Sequence, residues 1–250
     1  MKLKGKVAIV TGGARDIGRE VSIQLAKEGA HVVINYFGSE AEAKETKRMI
    51  DEAAGSCLLV QGDMTSWESV KNLMAQATQT FGNAIHILVN VTGGLFGRKT
   101  IEEQDEAWYD QVMNVNMKTV FFTTKAALEH MPAGSSIINF SSQAARDGGG
   151  GGASLYATAK GAVMTYTRAM AKELGPRGIR VNAVAPGMIA TSFHDRFTKP
   201  EIRTNVAAST PLRRQGESAD VANLVVYLAS EESAFLTGTN IDINGGTYFS

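Results

Sequence analysis

Val7-Ala8-Ile9-Val10-Thr11-Gly12-Gly13-Ala14-Arg15-Asp16-Ile17-Gly18 begins as a short apolar run and passes through glycines into a helical pattern. The run predicts a buried strand, and the turn predicts a tight entry into a helix. Glycine lets backbone amides approach a pyrophosphate closely, and a helix N-terminus adds unpaired N–H donors and a favourable dipole. A tight turn alone would read the same way, but its place after the first strand favours a dinucleotide site.

Outward from this stretch the pattern repeats. Apolar runs at 7–10, 32–34, 57–60, 85–89, 137–140, 179–184 and 240–243 are brief and mostly bounded by Gly, Asn or Asp. Between them lie helical patterns at 17–28, 41–54, 67–81, 107–130, 153–174 and 219–228. Parallel neighbours need crossover connections, so this alternation predicts an α/β fold: a Rossmann-type doubly wound parallel sheet with helices on both faces. Residues 1–250 read as one domain, without a linker or solenoid-type repeat; Gly148–Gly152 is too short to divide it. Ligands of such sheets bind beyond the carboxyl ends of the strands. Those ends carry Thr11-Gly12-Gly13, Asn35-Tyr36, Asp63, Asn90 to Gly94, Ser141-Ser142 and Pro186-Gly187.

The chain is 44% hydrophobic, and its 25 basic and 25 acidic residues cancel, so no global charge favours nucleic acid or an anionic membrane as partner. Cys57 is the single cysteine and lies in an apolar run, which excludes an intrachain disulfide and a thiolate metal cluster. No segment approaches the roughly 20 apolar residues of a membrane span, and the basic start lacks a signal-peptide core. A cytoplasmic protein is expected.

Tyr156-Ala157-Thr158-Ala159-Lys160 falls near the start of a predicted helix, and i, i+4 spacing puts tyrosine and lysine on one face. A phenol with a pKa near 10 exchanges protons poorly at neutral pH. A cation about 4 Å away contributes roughly 4 kcal/mol at an effective dielectric near 20, enough to bring the phenol close to working pH.

From the glycine turn to the C-terminus the chain resembles the short-chain dehydrogenase/reductase family. Its usual Thr-Gly-x-x-x-Gly-x-Gly is present with Asp16 replacing the middle glycine, read here as a helix-capping variant. Ser142, after a predicted strand, and Asn116, in Val115-Asn116-Met117, match the family's serine and asparagine positions. Further matches are Val181 to Gly187 and the ending Asp242-Ile243-Asn244-Gly245-Gly246, while Val91-Thr92 replaces the usual Asn-Ala. The resemblance implies an NAD(P)-dependent oxidoreductase acting on CH–OH/C=O without a metal. Tyr156 would exchange the proton with the substrate oxygen, Ser142 would hydrogen-bond that oxygen, Lys160 would perturb Tyr156 and hold the nicotinamide ribose, and Asn116 would position a relay water. Gly12, Arg15, Asp16 and Ile17 would face the phosphates, Asp63 and Met64 the adenine, and Asn90 and Gly93 the riboses. Ile189 and Thr191 would face the carboxamide, and Pro186 and Gly187 would also line the cofactor site. Aligned with the family, Tyr36 stands where a carboxylate would select NAD, and Arg15 is the kind of residue that NADP-using members carry. NADPH is favoured, with NADH usable. Relatives of this length imply a homotetramer.

Substrate choice falls to three loops: 93–99, the segment after Ser142 through Gly152, and 191–210, expected to be a mobile lid. Arg98, Arg146 and His194 are the candidates for an anionic group. Gly93 to Lys99 and Thr191-Ser192-Phe193-His194-Asp195 are similar to reductases acting on 4-deoxy-L-erythro-5-hexoseulose uronate, which yield 2-keto-3-deoxygluconate. A 3-oxoacyl-[acyl-carrier-protein] reductase is the enzymatic alternative, and a non-catalytic dinucleotide-sensing protein the alternative of another class. The complete Asn116, Ser142, Tyr156, Lys160 set argues against the sensor.

Overall fold

In the computed structural model, which describes residues 1–249, the glycine turn follows a strand whose five side chains are all buried, β1 (Val7–Thr11). The chain continues through α1 (Asp16–Lys27), β2 (His31–Tyr36), α2 (Glu40–Glu52), β3 (Ser56–Gln61), α3 (Trp67–Phe81) and β4 (Ile87–Asn90). Next come α4 (Glu106–Met113), α5 (Thr119–Ala127), β5 (Ser136–Phe140), α6 (Ala144–Asp147) and α7 (Ser154–Leu174). β6 (Arg180–Pro186), α8 (Ser192–Phe197), α9 (Pro200–Ser209), α10 (Ser218–Ala229) and β7 (Asn240–Ile243) complete it.

The seven strands form one parallel sheet in the order β3-β2-β1-β4-β5-β6-β7. Side chains alternate between its faces, so the sheet feeds two cores. Ala8, Val10, Val32, Ile34, Val89 and Ile138 pack with Val21 and Leu25 of α1 and Val221, Val225 and Leu228 of α10. Ile9, Val33, Leu88, Ile137 and Val181 face the other way, onto Val70 and Leu73 of α3, Ala127 of α5 and Leu174 of α7. Burial on both faces is why the runs read as continuously apolar. The chain leaves β1 toward β2 on one side and returns to β4 on the other, so the strand order reverses beside β1. That reversal opens a crevice at the strands' carboxyl ends.

One expectation changes. The helix expected over 107–130 is interrupted by a π-helical turn, Asn114–Lys118. Buried Asn116 holds it, donating from Nδ2 to Val112 O at 2.9 Å and to Gly94 O at 2.8 Å. Such turns frequently mark functional sites. Residues 191–210, the expected lid, contain α8 and α9, neither with a fully buried residue. Among the described residues, no helix is long and apolar enough to cross a membrane.

Candidate active site

The crevice is a cleft of about 1050 Å³ running from the end of β2 to α8 and α9. Ligand pockets span about 300–1,000 Å³, so this one has room for a dinucleotide and a small substrate together. Its floor is the glycine turn. Gly12 has φ 64, and a Cβ there would lie 3.2 Å from Thr92 Oγ1. A Cβ on Gly18 would lie 2.1 Å from Gly12 O, so α1 packs against the turn only because that position is bare. Gly12, Arg15, Asp16 and Ile17 all line the cleft. Backbone this close to open space, at the start of a helix, fits a pyrophosphate.

Asp16 is not the cap expected of it. Arg15 is the N-cap residue of α1 and makes no side-chain cap bond, while Asp16 sits inside the helix at φ 51. Its carboxylate instead crosses to the start of α8. Oδ1 accepts from Ser192 N at 2.9 Å, and Oδ2 from Ser192 Oγ at 2.6 Å and Arg15 Nη1 at 2.9 Å. The capping reading fails because a left-handed residue aims its side chain away from its own helix. Ser192 is therefore a site residue the sequence reading missed. No local pattern marks it.

At the adenosine end Tyr36, Ser39, Asp63 and buried Met64 line the cleft. Asp63 Oδ1 accepts from Thr65 N and Oγ1, both at 2.8 Å, which leaves Oδ2 to accept from an amino group. Asn90 does not reach the cleft with its side chain. Its Nδ2 donates to Asn139 Oδ1 at 2.9 Å and its Oδ1 accepts from Thr123 Oγ1 at 2.7 Å, inside the core. Its expected contact with adenosine gives way to a bridge among β4, β5 and α5, because Asn139 pairs with it in register.

In the middle of the cleft α7 presents Tyr156 and Lys160 beside Ser142, which follows β5. Burial pushes the Tyr156 phenol above its usual pKa, and the Ser142 hydroxyl acts in the opposite direction. Lys160, 3% exposed, donates from Nζ to Phe140 O at 2.8 Å, and its ammonium lies 5.9 Å from the centre of the Tyr156 ring. Burial lowers its pKa to about 8. The expected acidification of the phenol is thus absent from this geometry: the ammonium is drawn to a backbone carbonyl, and desolvation governs both groups. Gly93 completes the wall. A Cβ there would lie 2.7 Å from Lys160 Nζ and 2.8 Å from Asn116 Oδ1, so the turn passes between the two side chains. Asn116 Oδ1 accepts from Gly94 N at 3.0 Å, which leaves one lone pair for a water.

Past Tyr156 the cleft widens under α8, where Pro186, Gly187, Ile189 and Thr191 line one side. Arg98 stands exposed at the mouth, its Nη1 donating to Gly151 O at 2.9 Å. Gly150 and Gly152 make room for it, since a Cβ on either would lie 3.1 Å and 2.8 Å from Arg98 atoms. Arg146 is not there. It is turned to β7, bonding Asp242 Oδ1 at 3.3 Å and Asn240 O at 3.0 Å, because the short helix α6 directs it away from the cleft. His194 lines the cleft, but burial and the guanidiniums of Arg203 and Arg98 hold its pKa down to about 4. It is a neutral hydrogen-bonding group at pH 7, not a cation. Phe193 and Phe197, assigned no role from the sequence despite their i, i+4 spacing, pack at 5.2 Å and bring an apolar wall to 6.2 Å from Tyr156.

A family model described as Enoyl-(Acyl carrier protein) reductase matches residues 12–248. The Bacillus subtilis (strain 168) protein called "Uncharacterized oxidoreductase YhxC" is 39% identical over 249 residues, 98% of this chain and 86% of its own. A 3-oxoacyl-[acyl-carrier-protein] reductase of Staphylococcus aureus (strain Mu50) is 35% identical over 97% of this chain and 98% of its own. A solved short chain dehydrogenase from Burkholderia cenocepacia J2315, in complex with NADP, superposes with TM-score 0.92 at 32% identity, over 98% of this chain and 99% of that one. The chain belongs to the short-chain dehydrogenase/reductase family. It is an NAD(P)-dependent oxidoreductase acting on a small-molecule substrate, and its cofactor is a nicotinamide dinucleotide. Also similar to this dehydrogenase/reductase is a structure titled NADH-dependent reductase A1-R′ responsible for alginate metabolism, with TM-score 0.90 and 33% identity over 99% of both chains.

Proposed function

We propose that this dehydrogenase/reductase is a cytoplasmic reductase of a small carboxylated carbonyl compound, best described by the aldehyde of 4-deoxy-L-erythro-5-hexoseulose uronate, which it converts to 2-keto-3-deoxygluconate. NADPH is its favoured reductant and NADH is usable. The observation that carries the chemistry is one cleft in which a phenol, a hydroxyl and a buried ammonium stand beyond a glycine cradle. When bound, the reduced dinucleotide supplies the hydride. Tyr156, a phenol that burial keeps firmly protonated, gives its proton to the substrate oxygen. The Ser142 hydroxyl donates to the same oxygen and stabilises its developing charge. Lys160, with donors left over from its bond to Phe140 O, holds the nicotinamide ribose and returns a proton toward Tyr156. Asn116 keeps the 93–94 turn against Lys160 and seats the relay water on its remaining lone pair.

Arg98 supports the carboxylated substrate. One of its five donors is fixed by Gly151 O, and the rest can form a bidentate bond to a carboxylate at the mouth. Residues 191–210 close over it, with neutral His194 meeting a hydroxyl or carbonyl oxygen. The similar alginate-metabolism reductase favours this substrate class. The Staphylococcus relative and the Phe193–Phe197 wall favour the second reading, a 3-oxoacyl thioester. Exposed Tyr109, Phe121 and Phe235 supply apolar surface for a homotetramer, which sizing in solution would test.

The discriminating experiment compares the uronate, simple sugars and acetoacetyl thioesters, each with both reduced dinucleotides. The uronate should turn over fastest; equal rates on sugars or thioesters would overturn the substrate assignment. Tyr156→Phe should cost about 10²–10⁴-fold in kcat while dinucleotide still binds, as general-acid loss requires. Full activity in that variant would remove Tyr156 from the chemistry.

A further inference from the structure

Asp16 brings a negative charge to the one part of the cleft that must receive phosphates, and it does so from a left-handed backbone angle (φ 51) that glycine would adopt without strain. Neither the glycine cradle nor the proton-transfer groups need it. Its partners show what it holds. Oδ2 is 2.9 Å from Arg15 Nη1, and Ser192 Oγ bonds both the carboxylate and that same guanidinium. Among the described residues lining the cleft, Arg15 is the cation of the phosphate turn, whereas Lys160, Arg98 and Arg196 lie with the substrate groups. At the end of β2, where an adenosine ribose sits in this fold, the lining is Tyr36, Phe37, Gly38 and Ser39, with no charge of either sign. A 2′-phosphate would therefore look to Arg15. That side chain is instead paired to Asp16 and turned to α8.

We propose that Asp16 is the specificity-determining residue for the dinucleotide: its carboxylate detains Arg15 and opposes a 2′-phosphate, so that NADH stays usable beside NADPH. This rests on the reading that NADPH is favoured and NADH usable. An NADH molecule has a ribose hydroxyl where NADPH has a nearly dianionic phosphate, so the same carboxylate penalises NADPH more. Its repulsion of the shared pyrophosphate cancels in the comparison.

The test uses the full chain with Asp16→Asn and Asp16→Gly, both of which tolerate the left-handed angle. Asparagine retains an acceptor for Ser192 N–H but loses the charge and the second oxygen, which accepts from Arg15 and Ser192 Oγ; glycine loses all three. Binding of 2′,5′-ADP and 5′-AMP is measured by calorimetry, and kcat/KM with NADPH and NADH by absorbance. Both variants should shift the ratio toward the 2′-phosphorylated member by roughly two- to fivefold, the scale of a partly exposed charge contact. In an Arg15→Ala background Asp16→Asn should shift the ratio less, because only the direct repulsion is then left to relieve. An unchanged ratio in Asp16→Asn, or a change confined to Asp16→Gly, overturns the proposal, the latter because the tie to Ser192 would then be what matters. A wild-type protein that uses NADPH alone, or NADH alone, would instead overturn the dual-use reading beneath it.

Discussion

Lys160→Met should stabilise the protein while abolishing turnover. Lys160 is buried without a carboxylate, its ammonium bonded to Phe140 O, and its pKa falls from 10.5 to about 8. At about 1.36 kcal/mol per unit, holding the charge in the folded state costs on the order of 3 kcal/mol. Methionine fills similar space without charge, but strands the Phe140 carbonyl at a cost of about 1 kcal/mol. The net gain of about 2 kcal/mol corresponds to about 4–8 °C in Tm for a chain of this size. The pH dependence has a definite sign. Below the folded pKa of about 8 both states carry the proton and the penalty is complete. Between there and the unfolded value of 10.5 only the unfolded state stays charged, so the wild type gains stability as pH rises and the variant's advantage shrinks. Calorimetric scans of both proteins at one concentration, at about pH 7 and about pH 10, measure this directly. A variant no more stable than wild type at the lower pH, or an advantage that does not shrink at the higher, would refute the argument.

Three further outcomes are expected. Gly18→Ala puts a Cβ 2.1 Å from Gly12 O, so it should lower stability by about 1–3 kcal/mol and weaken dinucleotide binding at least tenfold by titration; near-normal binding would contradict the cradle. The reductive kcat/KM should fall above an apparent pKa near 8, where Lys160 loses its charge, well before the raised Tyr156 deprotonates; a profile flat to about pH 10 would show the ammonium is not required. Arg98→Ala should raise KM for a carboxylated aldehyde about tenfold, the value of a lost charge-assisted contact of about 1.5 kcal/mol, and leave KM for an uncharged aldehyde unchanged; parallel rises in both would remove Arg98 from carboxylate recognition.

The fold was legible because its five inner strands are buried on both faces and its two edge strands are still apolar: each of the seven apolar runs falls in a strand, displaced at its ends by a residue or two. The elements that escaped reading owe their form to distant contacts. The π-turn at Asn116 is held by Gly94, 22 residues away in the chain, so the helical periodicity across it looked unbroken. α8 and α9 bury no residue fully, and the Phe193–Phe197 pair of α8 is too short a stripe to mark a helix. Arg146 and Arg98 look alike in sequence, and only the proximity of Asp242 separates a structural pair from a cation at the cleft mouth.

The site shows where such reading stops. Residue type and i, i+4 spacing put Tyr156 and Lys160 on one face of α7. They do not fix the distance between charge and phenol, nor the solvent around them, and those two quantities determine the pKa values. Here both are unfavourable to a phenolate: the ammonium lies 5.9 Å from the ring centre, and burial acts against charge on either group. A protonated phenol is the correct starting state for giving a proton to a carbonyl oxygen, and the wrong one for taking a proton from an alcohol. The same burial that makes Lys160 a liability to the fold therefore biases the resting site toward reduction. Oxidation of an alcohol would need the phenol to ionise first, and should become competitive only as the pH rises.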